Sequence, residues 1–335
     1  MKASKESFVT RRAALAAVAA GLAGAGLPAW AADPAEANYP TRTIRLLTPT
    51  AVGSVTDLSS RLLAPHLAEL LGQSVVVENV VGAGGVTGTR QLVRSPKDGY
   101  TIGMITNNHV INPNIYKDMQ FDSLKDVQPI GNVGNTPLLL VTGPTGPIRE
   151  LKDLLAAARQ KPGALTFGST GNGTVGHLAG VMLTTDAKIE MKHVPYKSAG
   201  QQFNDLMGGQ IDMLFTGLAT GAPQVEGGKL RALAVTSPTR SALLPNVPTL
   251  QELDLTNSNF AGWVLLVAPA GVPRPIIDKL NAALRTALAR PDVQQTLTKA
   301  AVTITPSNPD QATRFLEAEM VRHAYLAKRG GAVLE

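Results

Sequence analysis

The segment TIRLLTPTAVGSVTDLSSRLLAPHLAELLGQSVVVENVVGAGG, running from Thr43 to Gly85, decides the fold class. Thr43–Thr48 is a short apolar run that reads as a strand. After a loop, Leu58, Leu62, Leu63, Leu67 and Leu70 recur at helical spacing and are expected to share a buried face. Ser54 and Asp57 have the spacing of a capping box at the start of that helix. Pro65 lies inside it and is expected to kink it. Val75–Glu78 reads as a second strand, and Gly82-Ala83-Gly84-Gly85 leads into another helix. Strand, helix and strand in this order define an α/β architecture with largely parallel sheets.

The alternation continues outward. Tyr100–Ile105 reads as a third strand, and Leu138–Val141 as a buried strand crossing into a second domain. Beyond it come a helix over 148–160, strand 165–167, a helix from Thr174, strand 191–194, helix 201–207, and strands 213–215 and 232–235. Trp263–Val267 reads as the return crossing. A helical C-terminal part starts at Pro273, where a helix start tolerates proline. The mature chain is about 300 residues, more than one core usually serves, so two domains are expected. The first covers 32–141 plus 264–335 and the second 142–263, with a ligand cleft between them.

The N-terminus reads as an export signal. Lys2, Lys5, Arg11 and Arg12 precede the apolar run Ala13–Leu27, too short to span a bilayer, and Ala29-Trp30-Ala31 offers a cleavage site after Ala31. The Arg11-Arg12 pair leaves both the twin-arginine and the general secretory route open. The chain contains no cysteine, which excludes disulfides and a lipid anchor on a cysteine thiol. The mature protein is therefore expected in the periplasm as a soluble monomer. Half of the formal charge of +6 belongs to the signal. The remaining basic residues form no stripe, which argues against a nucleic-acid partner.

Three loops share one pattern, a strand end followed by Gly, Ser, Thr or Asn and then a helix start. They are Thr50–Asp57, Gly82–Gly88 and Ser169–Thr174. Helix starts offer unpaired N–H groups and a positive dipole end, so they suit an anion. Glycine there lets a carboxylate approach the backbone. The candidate ligand-binding residues are Thr50, Val52, Gly53, Thr56, Asp57, Gly84, Gly85, Asn108, Ser169, Thr170, Gly171, Asn172, His177 and Thr216. Ordinary turn and cap chemistry accounts better for any single loop taken alone, whereas three such loops divided between two domains favour an anion site, and Asp57 is as good a helix cap as a ligand contact. His177 and His109 are either cleft residues or packed histidines. No phosphate-loop or dinucleotide fingerprint is present, and no cofactor is expected. The five histidines are dispersed without metal-site spacing, and Gly168-Ser169-Thr170-Gly171 is not a nucleophile elbow, so neither a metal nor a catalytic residue is expected.

The chain also resembles the Bug-type receptors associated with tripartite tricarboxylate transporters. The likeness is carried by Tyr39-Pro40, Val75–Asn79, Gly82–Gly85, Asp98-Gly99-Tyr100, Gly171-Asn172-Gly173, Gly176–Gly180, His193–Lys197, Gly208–Asp212, Gly228–Thr236, Pro245–Thr249 and Ala268–Gly271. The resemblance implies a two-domain periplasmic-binding-protein fold, Venus-flytrap and type II-like, with a central mixed sheet in each domain. It implies capture of a small organic acid through the backbone of the first two strand–helix loops, for the membrane subunits of a transporter. A receptor serving sensing or scavenging has the same fold; an exported hydrolase is the alternative of another class. Two positions depart from the family pattern. Val52 stands where glycine is common, and Thr216 stands where an aspartate often follows the strand. Loss of that acid is expected to disfavour an amino-acid ligand and favour a plain carboxylic acid.

Overall fold

The computed structural model describes residues 38–258 and 260–331. The expected signal and its cleavage site lie outside them. All described residues except Asn38 and Tyr39 belong to one compact unit spanning 40–335. Its elements are β1 (Ile44–Thr48), α1 (Val55–Leu71), β2 (Val75–Asn79), α2 (Val86–Val93), β3 (Thr101–Thr106), the single turn α3 (Asn108–Ile111) and β4 (Val127–Thr142). There follow α4 (Leu151–Gln160), β5 (Thr166–Ser169), α5 (Val175–Asp186), β6 (Lys192–Pro195), α6 (Ala199–Met207) and β7 (Met213–Gly217). The rest are α7 (Leu218–Glu226), β8 (Arg231–Val235), β9 (Ala261–Pro269), α8 (Arg274–Leu288), α9 (Pro291–Lys299), β10 (Thr303–Ile304) and α10 (Pro309–Arg329).

The strands are ordered β2-β1-β3-β9-β4-β7-β5-β6, with β8 and β10 also on β4. Pairing is parallel on the two flanks, β1 with β2 and β3, and β5 with β6 and β7. It is antiparallel in the middle, where β9 joins β3 and β4, and β4 joins β7 and β8. The sheet is therefore mixed, not largely parallel, because the long crossing strands run against the flanks.

β4 holds the two halves together. Val127–Pro137 pairs with β9, while Leu138–Thr142 pairs with β7 and β8, so one strand serves both lobes. Only its last, wholly apolar part was legible as a strand. The earlier part carries Pro129, Gly131 and Gly134, and the register shifts at Pro129/Gly131 and Asn132/Gly134, as bulges require. Separate apolar cores flank the two halves. One contains Leu47, Ile105, Trp263 and Leu265, and another Leu140, Phe167, Leu178 and Phe215.

The first helix corrects an expectation. Leu63 and Leu67 are buried, but Leu58 and Leu70 are 38% and 39% exposed. The inward face instead includes Thr56, Ser59 and Ser60. Their polarity is tolerated because Ser59 and Ser60 hydroxyls donate to the Val55 and Thr56 carbonyls, and Thr48 Oγ1 donates to Ser60 Oγ at 2.8 Å. The helix runs unbroken past Pro65.

Candidate functional site

The loop after β1 is braced by one buried carboxylate. Ser54 caps α1, accepting the Asp57 N–H at 3.2 Å. The Asp57 carboxylate accepts the Gly53 N–H at 3.0 Å, the Asn79 amide at 2.8 Å and Arg61 Nε at 3.0 Å. Burial opposes its ionisation, but the Gly53 N–H, Asn79 and Arg61 outweigh burial and hold its carboxyl below the usual range. Asn79 also donates to the Thr50 carbonyl, which ties the loop to the end of β2. Asp57 is thus a brace, occupied within the protein. Asn79, which sequence reasoning did not single out as a site residue, shares that work; its place at the end of the Val75–Asn79 motif was the available signal.

The loop after β2 has four successive positive φ angles, at Gly82, Ala83, Gly84 and Gly85. It stays close to the neighbouring backbone: a Cβ on Gly88 would lie 2.7 Å from the Val80 carbonyl. Asn112 Nδ2 holds the loop by donating to the Gly84 carbonyl at 3.1 Å. Thr50, Gly84, Gly85 and Asn108 come together here in one small niche, with His109 and Asn112. His109 is buried, and its Nε2 donates to the Ser123 carbonyl at 2.7 Å, leaving Nδ1 a lone-pair acceptor without a partner among the described residues. Burial pushes its pKa down to about 4, against the pull of the Ser123 carbonyl.

A cavity of about 240 Å³ adjoins the niche where the two sheet halves meet. Thr56, Asn107 and Asn108 line it from one side, Gly217–Thr220 from the other, and Thr136, Gly262 and Trp263 form its floor on the crossing strands. Gly217 precedes α7, so the first N–H groups of that helix stand at the wall. α7 carries no helical apolar pattern in the sequence, because Gly221 and Pro223 interrupt it. Thr216 is buried one residue short of the wall, with Gly221 packed so closely that a Cβ there would lie 2.7 Å from Thr216 Cγ2. Among the described residues, no charged side chain lines this cavity or the niche. A larger cavity of about 490 Å³ lies beyond Pro137, Leu218 and Ala301, toward Arg240 and Arg285, but it touches none of the three glycine loops.

The loop after β5 is less engaged. Thr170 and Asn172 are exposed, and Ser169 is 1% exposed. Gly171 and Gly173 have φ angles of 125° and 75°, and a Cβ on Gly173 would strike Ile115. His177 does not open on the cavity. Its Nδ1 accepts the Gly173 N–H at 3.0 Å, and its ring stacks on His193 at 3.9 Å, close to Phe167. Burial, and then the neighbouring His193, lower its pKa to about 4. Ser169 Oγ lies 2.7 Å from His193 Nε2, the form of a nucleophile–base pair. The hydroxyl is buried, however, and burial lowers His193 to about 4, too weak a base to activate it. In the loop after β1, Val52 and Gly53 are exposed, Val52 by 72%.

Two lobes sharing crossing strands, with helix starts meeting over a cavity, define a periplasmic binding protein of the Venus-flytrap type. The chain belongs to the tripartite tricarboxylate transporter family receptors, whose family model matches residues 59–331. These are solute-binding receptors of the periplasm and not enzymes. The chain is 33% identical to protein BugT of Bordetella pertussis, over 96% of this chain and 98% of that protein. Among solved structures it is similar to the periplasmic binding protein BugD, with a TM-score of 0.70, 30% identity, and coverage of 89% of this chain and 100% of the other. An R. palustris protein solved with adipate gives a TM-score of 0.73 at 31% identity, covering 89% of this chain and all of that one. MatC from Rhodopseudomonas palustris with bound malate gives 0.68 at 27%, over 86% and 99%. No helix among the described residues is long and apolar enough to cross a membrane.

Proposed function

We propose that this receptor captures a small organic acid in the cavity between its lobes and delivers it to the membrane subunits of a tripartite tricarboxylate-type transporter. On this reading the lobes are 32–141 plus 264–335 and 142–263, with the boundaries falling inside the shared crossing strands β4 and β9, and cleavage near Ala31 frees the chain into the periplasm. One observation carries the reading. The cavity and niche offer amides, hydroxyls and helix starts on both sides, with no charged side chain among the described residues. A carboxylate finds N–H donors there with fixed positive dipoles and no competing acid. The malate- and adipate-bound relatives support the ligand class.

Thr56, Asn108 and the Gly84-Gly85 backbone are the assigned contacts on the first lobe. Gly217–Thr220 are those on the second. Thr216 brings no acid to that wall, so an amino acid's ammonium group has no carboxylate partner there, and a plain carboxylic acid is favoured. A thermal-shift screen of the mature chain with malate, adipate, aromatic acids and amino acids tests both statements. A bound acid raises apparent stability by about 2.7 kcal/mol at a hundredfold excess over its Kd. Absence of any shift with organic acids would refute the ligand class, and a shift with amino acids alone would refute the role given to Thr216.

A further inference from the structure

α10 lies against both lobes. Its Ala312 and Leu316 are buried in the first-lobe core with Trp263 and Leu265, whereas Leu326 is buried in the second-lobe core with Leu178 and Met182. It packs on β4 and α3 and, farther along, on α5. A capping box fixes its start, with Asn308 accepting the Gln311 N–H and Gln311 accepting that of Asn308.

Between the two apolar anchors the helix buries polar groups. Glu319 is 8% exposed and His323 is fully buried. Glu319 Oε2 accepts the indole N–H of Trp263 at 2.8 Å. His323 Nδ1 lies 2.9 Å from the Glu319 carbonyl, which can only accept, so Nδ1 carries the proton and Nε2 holds a lone pair. That lone pair faces Asn107 Nδ2 at 3.4 Å. Asn107 is further pinned to β9, donating to the Ala261 carbonyl at 3.1 Å and accepting the Trp263 N–H at 2.8 Å. Arg322 lies 3.4 Å from Glu319 Oε1 and reaches Met182 Sδ on α5 at 3.1 Å.

Asn107 and Trp263 both line the cavity. Burying a carboxylate, an imidazole and an amide together is costly unless each is satisfied, and partial satisfaction is worse than an apolar core. Burial of such groups behind a binding wall points to positioning rather than to stability alone. We infer that Glu319, Arg322 and His323 are positioning residues that fix the Asn107–Trp263 wall of the cavity and join it to the second lobe at Met182. The lobe angle and the shape of the wall are then set together. The ligand role of that wall rests on the proposed function; the mechanical coupling does not.

The chain has no cysteine and two tryptophans, Trp30 and Trp263. Cleavage after Ala31 removes Trp30, so in the mature chain Trp263 alone reports on the wall. Spin labels on Lys117→Cys and Gln160→Cys, both exposed and one on each lobe, report the lobe separation without any added ligand. Glu319→Gln keeps an acceptor for the indole N–H but loses the charge facing Arg322. It should leave Trp263 emission unchanged and broaden the lobe-to-lobe distance distribution. Arg322→Met should broaden it likewise, and Glu319→Leu, where it folds, should also shift Trp263 emission to the red. Malate or adipate, whichever stabilises the parent, should bind Glu319→Gln about tenfold more weakly. Folded Glu319→Gln and Arg322→Met proteins with the parent's distance distribution would overturn the inference. If no acid stabilises the parent while the distances still broaden, the ligand reading fails and the coupling stands.

Discussion

Asp57, readable from sequence as either a helix cap or a ligand contact, braces the loop after β1 from within the protein. Its carboxylate gathers the Gly53 N–H, the Asn79 amide and Arg61, and thereby shapes the loop that should meet the acid. Asp57→Ala should cost about 2 kcal/mol, below the usual figure for breaking a buried pair, because the Arg61 side chain is 51% exposed and regains water. Urea unfolding would measure that loss, and ligand affinity should fall alongside it. Three histidines, two buried and one half-buried, give a pH signature. His109, His177 and His193 are lowered to about 4 from 6.5, by burial first in each case. Above pH 6.5 they are neutral in both folded and unfolded chains and contribute nothing to the pH dependence. Between pH 6.5 and 4 the unfolded chain takes up protons that the folded rings refuse, so stability falls by up to about 1.4 kcal/mol per pH unit for each ring. Below 4 this loss levels off. A urea midpoint that stays flat from pH 6.5 to 4 would contradict the assignment. Sequence could list these histidines but not orient them, because orientation depends on contacts such as His177 on His193 that join positions far apart in the chain.

At the scale of elements, legibility followed local pattern. β1, β2, α5 and α8 were readable because apolar spacing, caps and proline placement agreed with the final structure. α7 was missed because Gly221 and Pro223 break its pattern, and most of β4 because its bulges and glycines suit pairing with β9 rather than strand propensity. The buried face of α1 was misjudged for a related reason. Leucine spacing alone marks the apolar residues, but Thr48 makes room for a hydroxyl where a leucine would be expected. Substitutions on this helix should therefore divide sharply. Leu63→Ala and Leu67→Ala should each cost about 2–5 kcal/mol through lost burial and a residual cavity. Leu58→Gln and Leu70→Gln, at exposed positions, should stay within about 0.5 kcal/mol of the parent. Equal losses at all four positions would restore the leucine stripe as the packing face.

For the whole molecule, charge and architecture point the same way. Once the expected signal is set aside, only a modest basic excess remains, and none of it lines the cavity among the described residues. On the proposed function, an anion bound there should be held by oriented N–H groups that the fold has already fixed, not by a mobile ion pair. The distinction is measurable, because screening by salt acts strongly on exposed charge–charge attraction and weakly on short, enclosed hydrogen bonds. Raising ionic strength from roughly 0.05 M to roughly 0.5 M should weaken binding of a stabilising acid by less than about threefold. A site built on an exposed arginine would lose considerably more over that range. Closure should accompany binding, since a ligand shifts the lobe equilibrium only by touching both sides more fully in one state. Asn108 and Gly217–Thr220 line one cavity, so an acid that touches both should favour closure. Small-angle scattering should then show a smaller radius of gyration on adding the acid, with the same weak salt dependence as the affinity. Binding that leaves the radius unchanged would place the acid on one lobe alone. Strong salt dependence with closure would place it instead near Arg240 and Arg285, in the larger cavity beyond Leu218.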